Sequence, residues 1–261
     1  MNKRDFLKLS GAAGLTAALG APASAADELT NITGDAVPIS VDERLARVEK
    51  AQRLMQQQGI DALLLEAGSA LIYFTGVRWW RSERYTGAII PADGDIAFVT
   101  PYFEEPSVRE SMTFGHDVRT WHEHENPFDL VAGILADRGL EGGKIGIEET
   151  VRHFIADGVA NAAPDFEVVS GKDIARGCRM YKSPVEIALM QKANDVTMAA
   201  YRHVYQNLDK DMAPSDISSM MSDATRALGG VPQFSSVLLN EASAYPHGTR
   251  QPQTLKEDGI I

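Results

Sequence analysis

A single cysteine, Cys178, is all the thiol chemistry in this chain, so no disulfide can form within it. Nothing beside Cys178 suggests a nucleophile, and a packed or partly exposed thiol is expected. Positive charge is scarce as well. With 25 Lys and Arg against 36 Asp and Glu, the formal net charge is -11, which excludes the counter-charge that nucleic acid or an anionic membrane requires. Small molecules or peptides remain as ligands. Beyond the N-terminus no stretch approaches the ~18 consecutive apolar residues needed to cross a bilayer, so the mature form is expected to carry no membrane segment. The glycines of GLEGGKIG (139–146) precede an apolar strand pattern instead of following one, which makes a turn and argues against a phosphate-binding loop. What is present is ordinary globular material: 44% apolar and 23% charged residues over 261 positions, enough for one large or two modest domains.

Residues 1–25 read as an export signal, with Lys3 and Arg4, then Phe6 and Leu7, a weakly apolar stretch, and Ala23-Ser24-Ala25 as a cleavage site. KRDFLKLSGAAG resembles a twin-arginine signal with Lys3 in place of the first arginine, which leaves the general secretory route open. A periplasmic location is expected. The competing reading, an amphipathic N-terminal helix, is opposed by Gly11, Gly14, Gly20 and Pro22. Residues 26–40 read as a polar leader.

Hydrophobic periodicity then organises the chain. In DERLARVEKAQRLMQQQGI (42–60), Leu45, Val48, Ala51, Leu54 and Met55 share a helical face and Gly59 is a stop signal. DALLLEAG (61–68) reads as a buried strand, SALIYFTG (69–76) as a short helix capped by Ser69, and GAIIPADGDIAFVT (87–100) as a hairpin across Asp93-Gly94. Helices are predicted over 104–111, 127–138 and 152–161, and strands over 116–120, 144–149 and 166–170. This alternation predicts a mixed sheet covered by helices, a domain spanning 41–180. The texture changes in KSPVEIALMQKA, where Ser183, Pro184 and Glu186 form a helix start with a capping box. A second helix follows in APSDISSMMSDATRALGG (213–230), then an apolar strand pattern, QFSSVLL (233–239).

The series KSPVEIALMQKA, LGG, FSSVLLNEASAYPHG and TLKEDGII resembles the start of the pita-bread catalytic domain shared by aminopeptidase P, prolidase and creatinase. LIYFTG (71–76) and KIGIEE (144–149) resemble their N-terminal domain. The fold implied is α/β: a creatinase-like N-terminal domain, then an incomplete α+β pita-bread domain over 181–261. The resemblance implies an exported, metal-dependent Xaa-Pro peptidase acting on a proline-containing peptide or dipeptide, and a homodimer. It also implies two divalent metal ions, manganese, cobalt or zinc, held by two Asp, one His and two Glu around a bridging water. His247, in the PHG segment, is then the group that stabilises the tetrahedral intermediate. The first metal-binding Asp is expected a few residues beyond Ile261, so no metal ligand is expected within the chain. The sequence reads as a truncated form of a longer enzyme, inactive alone and metal-free, with QFSSVLL left as an exposed edge. A turn is expected at Asp258. Alternatives are a creatinase-like hydrolase of a C–N bond and a non-catalytic binding or oligomerisation module.

Two further clusters are candidates. VRWWRSERYTG (77–87) interleaves Trp79, Trp80 and Tyr85 with Arg81 and Arg84, suited to packing on proline and pairing a peptide carboxylate, or else to an interface. His122 and His124 form an HxH pair that could bind zinc on a strand if further ligands joined them, or else belong to a polar loop.

Overall fold

The computed structural model describes residues 29–261. The export signal of residues 1–25 lies outside the described residues. The chain divides into two compact units: residues 37–187, and residues 29–36 together with 188–261.

The first unit opens with α1 (Val41–Gln58). Ser40 caps it by accepting a hydrogen bond from the Glu43 amide, and Gly59 ends it in the left-handed conformation. The chain then forms β1 (Ala62–Glu66), α2 (Ser69–Thr75), β2 (Gly87–Pro91) and β3 (Ala97–Pro101). Next come α3 (Glu105–Ser111), β4 (Asp117–Trp121), α4 (Pro127–Asp137), β5 (Gly143–Ile147), α5 (His153–Ala162), β6 (Phe166–Ser170) and α6 (Lys172–Arg179). The strands build one mixed six-stranded sheet in the order β4-β3-β2-β1-β5-β6. β1, β2 and β3 are successively antiparallel, whereas β4, β5 and β6 join by parallel pairing.

The alternation of β1 decides how the layers form. Leu63 and Leu65 face a cluster containing Met55 of α1, Phe74 of α2, Ile90 of β2, and Ile174 and Cys178 of α6. Ala62 and Leu64 face the opposite cluster, with Ile134 and Leu135 of α4, Ile145 of β5, and Ile155 and Val159 of α5. Helices therefore cover both faces, and β1 is buried along its whole length, as a continuous apolar run requires.

Three local expectations are corrected. Ser69 does not cap α2: the N-cap is Gly68, and the Ser69 hydroxyl accepts a hydrogen bond from Arg179 instead. Helix α6 was not expected, because Gly171 offers no capping side chain and Gly177 interrupts the pattern, yet Ile174, Ala175 and Cys178 bury one face. Residues 233–239 form no strand. The Leu239 amide that a ladder would use donates to the Gln253 side chain, and no strand pairing occurs over residues 188–261.

The unit ends in the first turn of α7 (Pro184–Gln206). Its predicted capping box is present: Ser183 Oγ accepts from the Glu186 amide at 3.2 Å, and Glu186 accepts from the Ser183 amide at 2.9 Å. Buried Arg47 gathers Glu43 at 2.8 Å, Glu186 at 3.2 Å and the carbonyl of Tyr73 at 2.8 Å.

In the second unit, α7 and α8 (Pro214–Ala227) bury Val196 and Ala200 against Ala224 and Leu228, with Leu29 and Ile32 of the leader packed alongside. Farther along, Val204 and Ile217 meet Leu239 and Leu255. The Asp216 carboxylate accepts from the Ala213 amide at 2.8 Å and so closes the first turn of α8.

Candidate functional site

His247 stands in a turn built by its neighbours. A 3-10 helix over Asn240–Ala244 ends at Tyr245, and the Gly248 amide then donates to the Tyr245 carbonyl at 3.2 Å. Gly248 has φ +82°, a left-handed conformation that glycine adopts without a steric penalty. This turn leaves His247 exposed, lining a cavity of about 730 Å³ with Pro214, Leu238, Arg250 and Pro252. A larger apolar cavity of about 890 Å³ lies between α7, α8 and the extended 231–237 segment.

The 77–87 cluster is dispersed by the fold. Tyr85 is 1% exposed, and its hydroxyl donates to the Leu65 carbonyl at 3.1 Å. Burial pushes the Tyr85 phenol well above its usual range. Trp79 packs partly against the α1 and α2 side of the sheet, whereas Tyr85 belongs to the opposite cluster. Arg81 donates to the Ala67 carbonyl at 3.0 Å and to Thr150 Oγ1 at 2.7 Å. Arg84 holds Glu123 at 2.6 Å, pairs with Glu83, and lies 5.3 Å from the Phe103 ring. Trp80 is 85% exposed.

Beside this loop sits a polar network that the sequence did not announce. Glu66, buried at the end of β1, accepts from Arg152 Nε at 2.7 Å and from the Arg152 amide at 3.0 Å, with Arg81 3.6 Å away. Glu148 follows β5, is equally buried, and accepts from the amide and hydroxyl of Thr150 at 3.0 and 2.6 Å. An acid closing each of two apolar strand patterns, ALLLE and KIGIEE, was the available signal.

The HxH pair lies in a turn just after β4. The rings of His122 and His124 stack at 5.8 Å, and Tyr102 lies 4.7 Å from His122. Asp258 is exposed in a turn closed by the Gly259 amide donating to the Lys256 carbonyl at 3.0 Å. Among the described residues no group of three or more His, Cys, Asp or Glu converges on a point where a metal could bind. They therefore do not fit the implied metal pair. Cys178 is buried, and burial pushes its thiol up to about 11, so it is protonated at neutral pH.

By fold, the chain is similar to solved structures of dipeptidases and prolidases. It is similar to the crystal structure of a dipeptidase from Pyrococcus horikoshii, with a TM-score of 0.69 and 25% identity over 82% of this chain and 59% of that one. A prolidase structure from Thermococcus sibiricus shares the fold at a TM-score of 0.71 and 19% identity, over 83% of this chain and 59% of that one. The family signature is more particular: the creatinase/prolidase N-terminal domain matches residues 47–181, and the chain belongs to that family. An uncharacterized peptidase of Schizosaccharomyces pombe is 30% identical over 243 residues, 87% of this chain and 52% of that protein. The chain thus spans a little over half the length of these relatives. A signal sequence of the twin-arginine translocation pathway matches residues 1–20 and indicates export. Among the described residues no helix is long and apolar enough to cross a membrane.

Proposed function

We propose that the protein is an exported Xaa-Pro peptidase of the aminopeptidase P and prolidase type, acting on the bond before proline in a peptide or dipeptide. The observation that carries this reading is the Pro246-His247-Gly248 turn, in which exposed His247 lines a cavity together with Pro214, Leu238 and Pro252. An imidazole N–H placed there can donate to a carbonyl oxygen as negative charge develops on it, and Pro214, Leu238 and Pro252, within a lining that also carries Arg250, Gln251 and Gln253, offer apolar contact to a pyrrolidine ring. Trp80 and Arg84 are the groups of the 77–87 loop proposed to meet a peptide, the indole through its face and the guanidinium through a carboxylate. Trp79, Arg81 and Tyr85 support that loop from within. A homodimer and a periplasmic location belong to the same proposal. It also implies a pair of divalent ions, which would activate water in the whole enzyme. The described residues supply no fitting ligand set, so the chemistry assigned to this chain stops at His247.

Incubation of the purified whole enzyme, carrying this chain together with the metal-binding part the proposal implies, with Ala-Pro, Gly-Pro and a proline-free dipeptide, with manganese present, tests the reading. Proline release is expected from the first two only, and His247→Ala should lower kcat about 100-fold or more with little change in KM. Unchanged turnover in His247→Ala would remove that residue from the mechanism. Capture of the prolyl peptides without cleavage would make the protein a binding module, and hydrolysis restricted to a small C–N substrate would make it creatinase-like.

A further inference from the structure

Asn240 holds a left-handed backbone conformation, uncommon outside glycine and best tolerated there by asparagine and aspartate. Its φ is +54°, and among the described residues only Asp211 shares this left-handed state without being glycine. Three hydrogen bonds hold Asn240 in place. Its amide donates to the Ile260 carbonyl at 2.7 Å, its side-chain Nδ2 donates to the Thr254 carbonyl at 2.8 Å, and its own carbonyl accepts from Ser243 Oγ at 2.7 Å. One residue earlier, the Leu239 amide donates to Gln253 Oε1 at 2.8 Å. The extended segment through Leu239 is thus laced to residues 253–260 largely by side-chain amides, in place of a strand ladder. Asn240 Oδ1 is buried without a protein partner, and it lies so close to Gly259 that any Cβ there would collide with it.

These features sit at one point of the chain, the junction between the extended segment and the 3-10 helix Asn240–Ala244. A buried unpaired carbonyl is costly and persists where the surrounding structure dictates it, and the left-handed backbone restricts this position to asparagine, aspartate or glycine without strain. What the junction controls is the direction of the following residues, which end in the Pro246-His247 turn. The same lacing places Leu238 and Gln253, on either side of the junction, along the cavity that His247 lines.

We infer that Asn240 is a positioning residue for His247: its left-handed backbone and its amide bond to Thr254 set the exit of the 3-10 helix and thereby where the imidazole stands. The inference rests on the role proposed for His247, but its test needs no catalysis. The imidazole C–H signals of the intact chain are followed by NMR in the native protein, in Asn240→Gly and in Asn240→Asp. Glycine retains the left-handed backbone and removes the amide, whereas aspartate retains the shape, removes the donor and adds a negative charge, so agreement of the two variants separates the loss of the bond from the added charge. The expected result is a shift or broadening of the His247 signal in both variants, with the signals of His116 and His203 in place. The inference is overturned by an unmoved His247 signal in either variant, and equally by all the histidine signals shifting together, which marks a general loss of structure. Should Asn240→Gly fail to fold, Asn240→Asp alone decides between these outcomes. Movement of His247 in these variants, combined with full peptidase activity in His247→Ala, would retain the positioning role and discard the part proposed for His247 in the mechanism.

Discussion

Asp117 collects two guanidinium groups on one half-buried carboxylate, Arg119 at 2.8 Å and Arg138 at 3.0 Å. The hydrogen bond from Arg119 is the main reason its carboxyl is held below the ordinary value of 3.8, with Arg138 adding to it and partial burial opposing. A depressed folded pKa contributes stability that is complete above the unfolded value and lost as pH falls through the folded one. Asp117→Asn should therefore be less stable than the native chain at neutral pH, and the gap should narrow below about pH 4 and close in stronger acid. Urea melts at a series of pH values measure this, and a gap that persists unchanged into acid would contradict it. Residue-scale chemistry of this kind was only partly legible. The sequence grouped Tyr85 with its aromatic neighbours, but a residue two positions before β2 is carried into the core, where its hydroxyl serves Leu65. His247 was singled out by the resemblance of its PHG segment, and the structure adds the exposed turn in which it stands.

Two glycines separate space from conformation at the scale of elements. Gly171 precedes α6 with an ordinary φ of -89°, yet a Cβ there would lie 2.5 Å from the Leu63 side chain and 3.0 Å from the Gly146 backbone. Gly133, inside α4, has nothing within 4 Å of such a Cβ. Gly171→Ala should cost about 1–3 kcal/mol through overpacking, and Gly133→Ala should stabilise by roughly 0.5–1 kcal/mol through helix propensity. Thermal melts of the two variants should move in opposite directions, and a shared direction would refute the packing account. The same contrast explains what could be read beforehand. Helix α1 carries its cap, its apolar face and its stop within its own residues, and so does the hairpin of β2 and β3. Helix α6 carries no cap, and its existence depends on the surface that Leu63 and Met55 offer to Ile174 and Cys178. Residues 233–239 have the composition of a strand, but a strand exists only through a partner's backbone.

For the molecule as a whole, the unit over residues 37–187 has a sheet covered on both faces and two apolar clusters of its own. Expressed alone, that segment should unfold in one cooperative transition in denaturant, as single domains of this size do. A broad, non-cooperative melt would show that it depends on the remainder of the chain. The family match over residues 47–181 agrees with the mixed α/β fold expected from alternating strand and helix patterns. The sequence by itself determined the export signal, the stop of α1 at Gly59, the capping box of α7 and the hairpin turn, because each depends on residues a few positions apart. Only the tertiary structure decided the strand order, the burial of Tyr85, the pairing of Glu66 with Arg152 across 86 positions, and the lacing of Asn240 to residues 254 and 260. Those contacts join residues distant along the chain, and their partners are set by which apolar faces meet, a choice that local propensity does not encode.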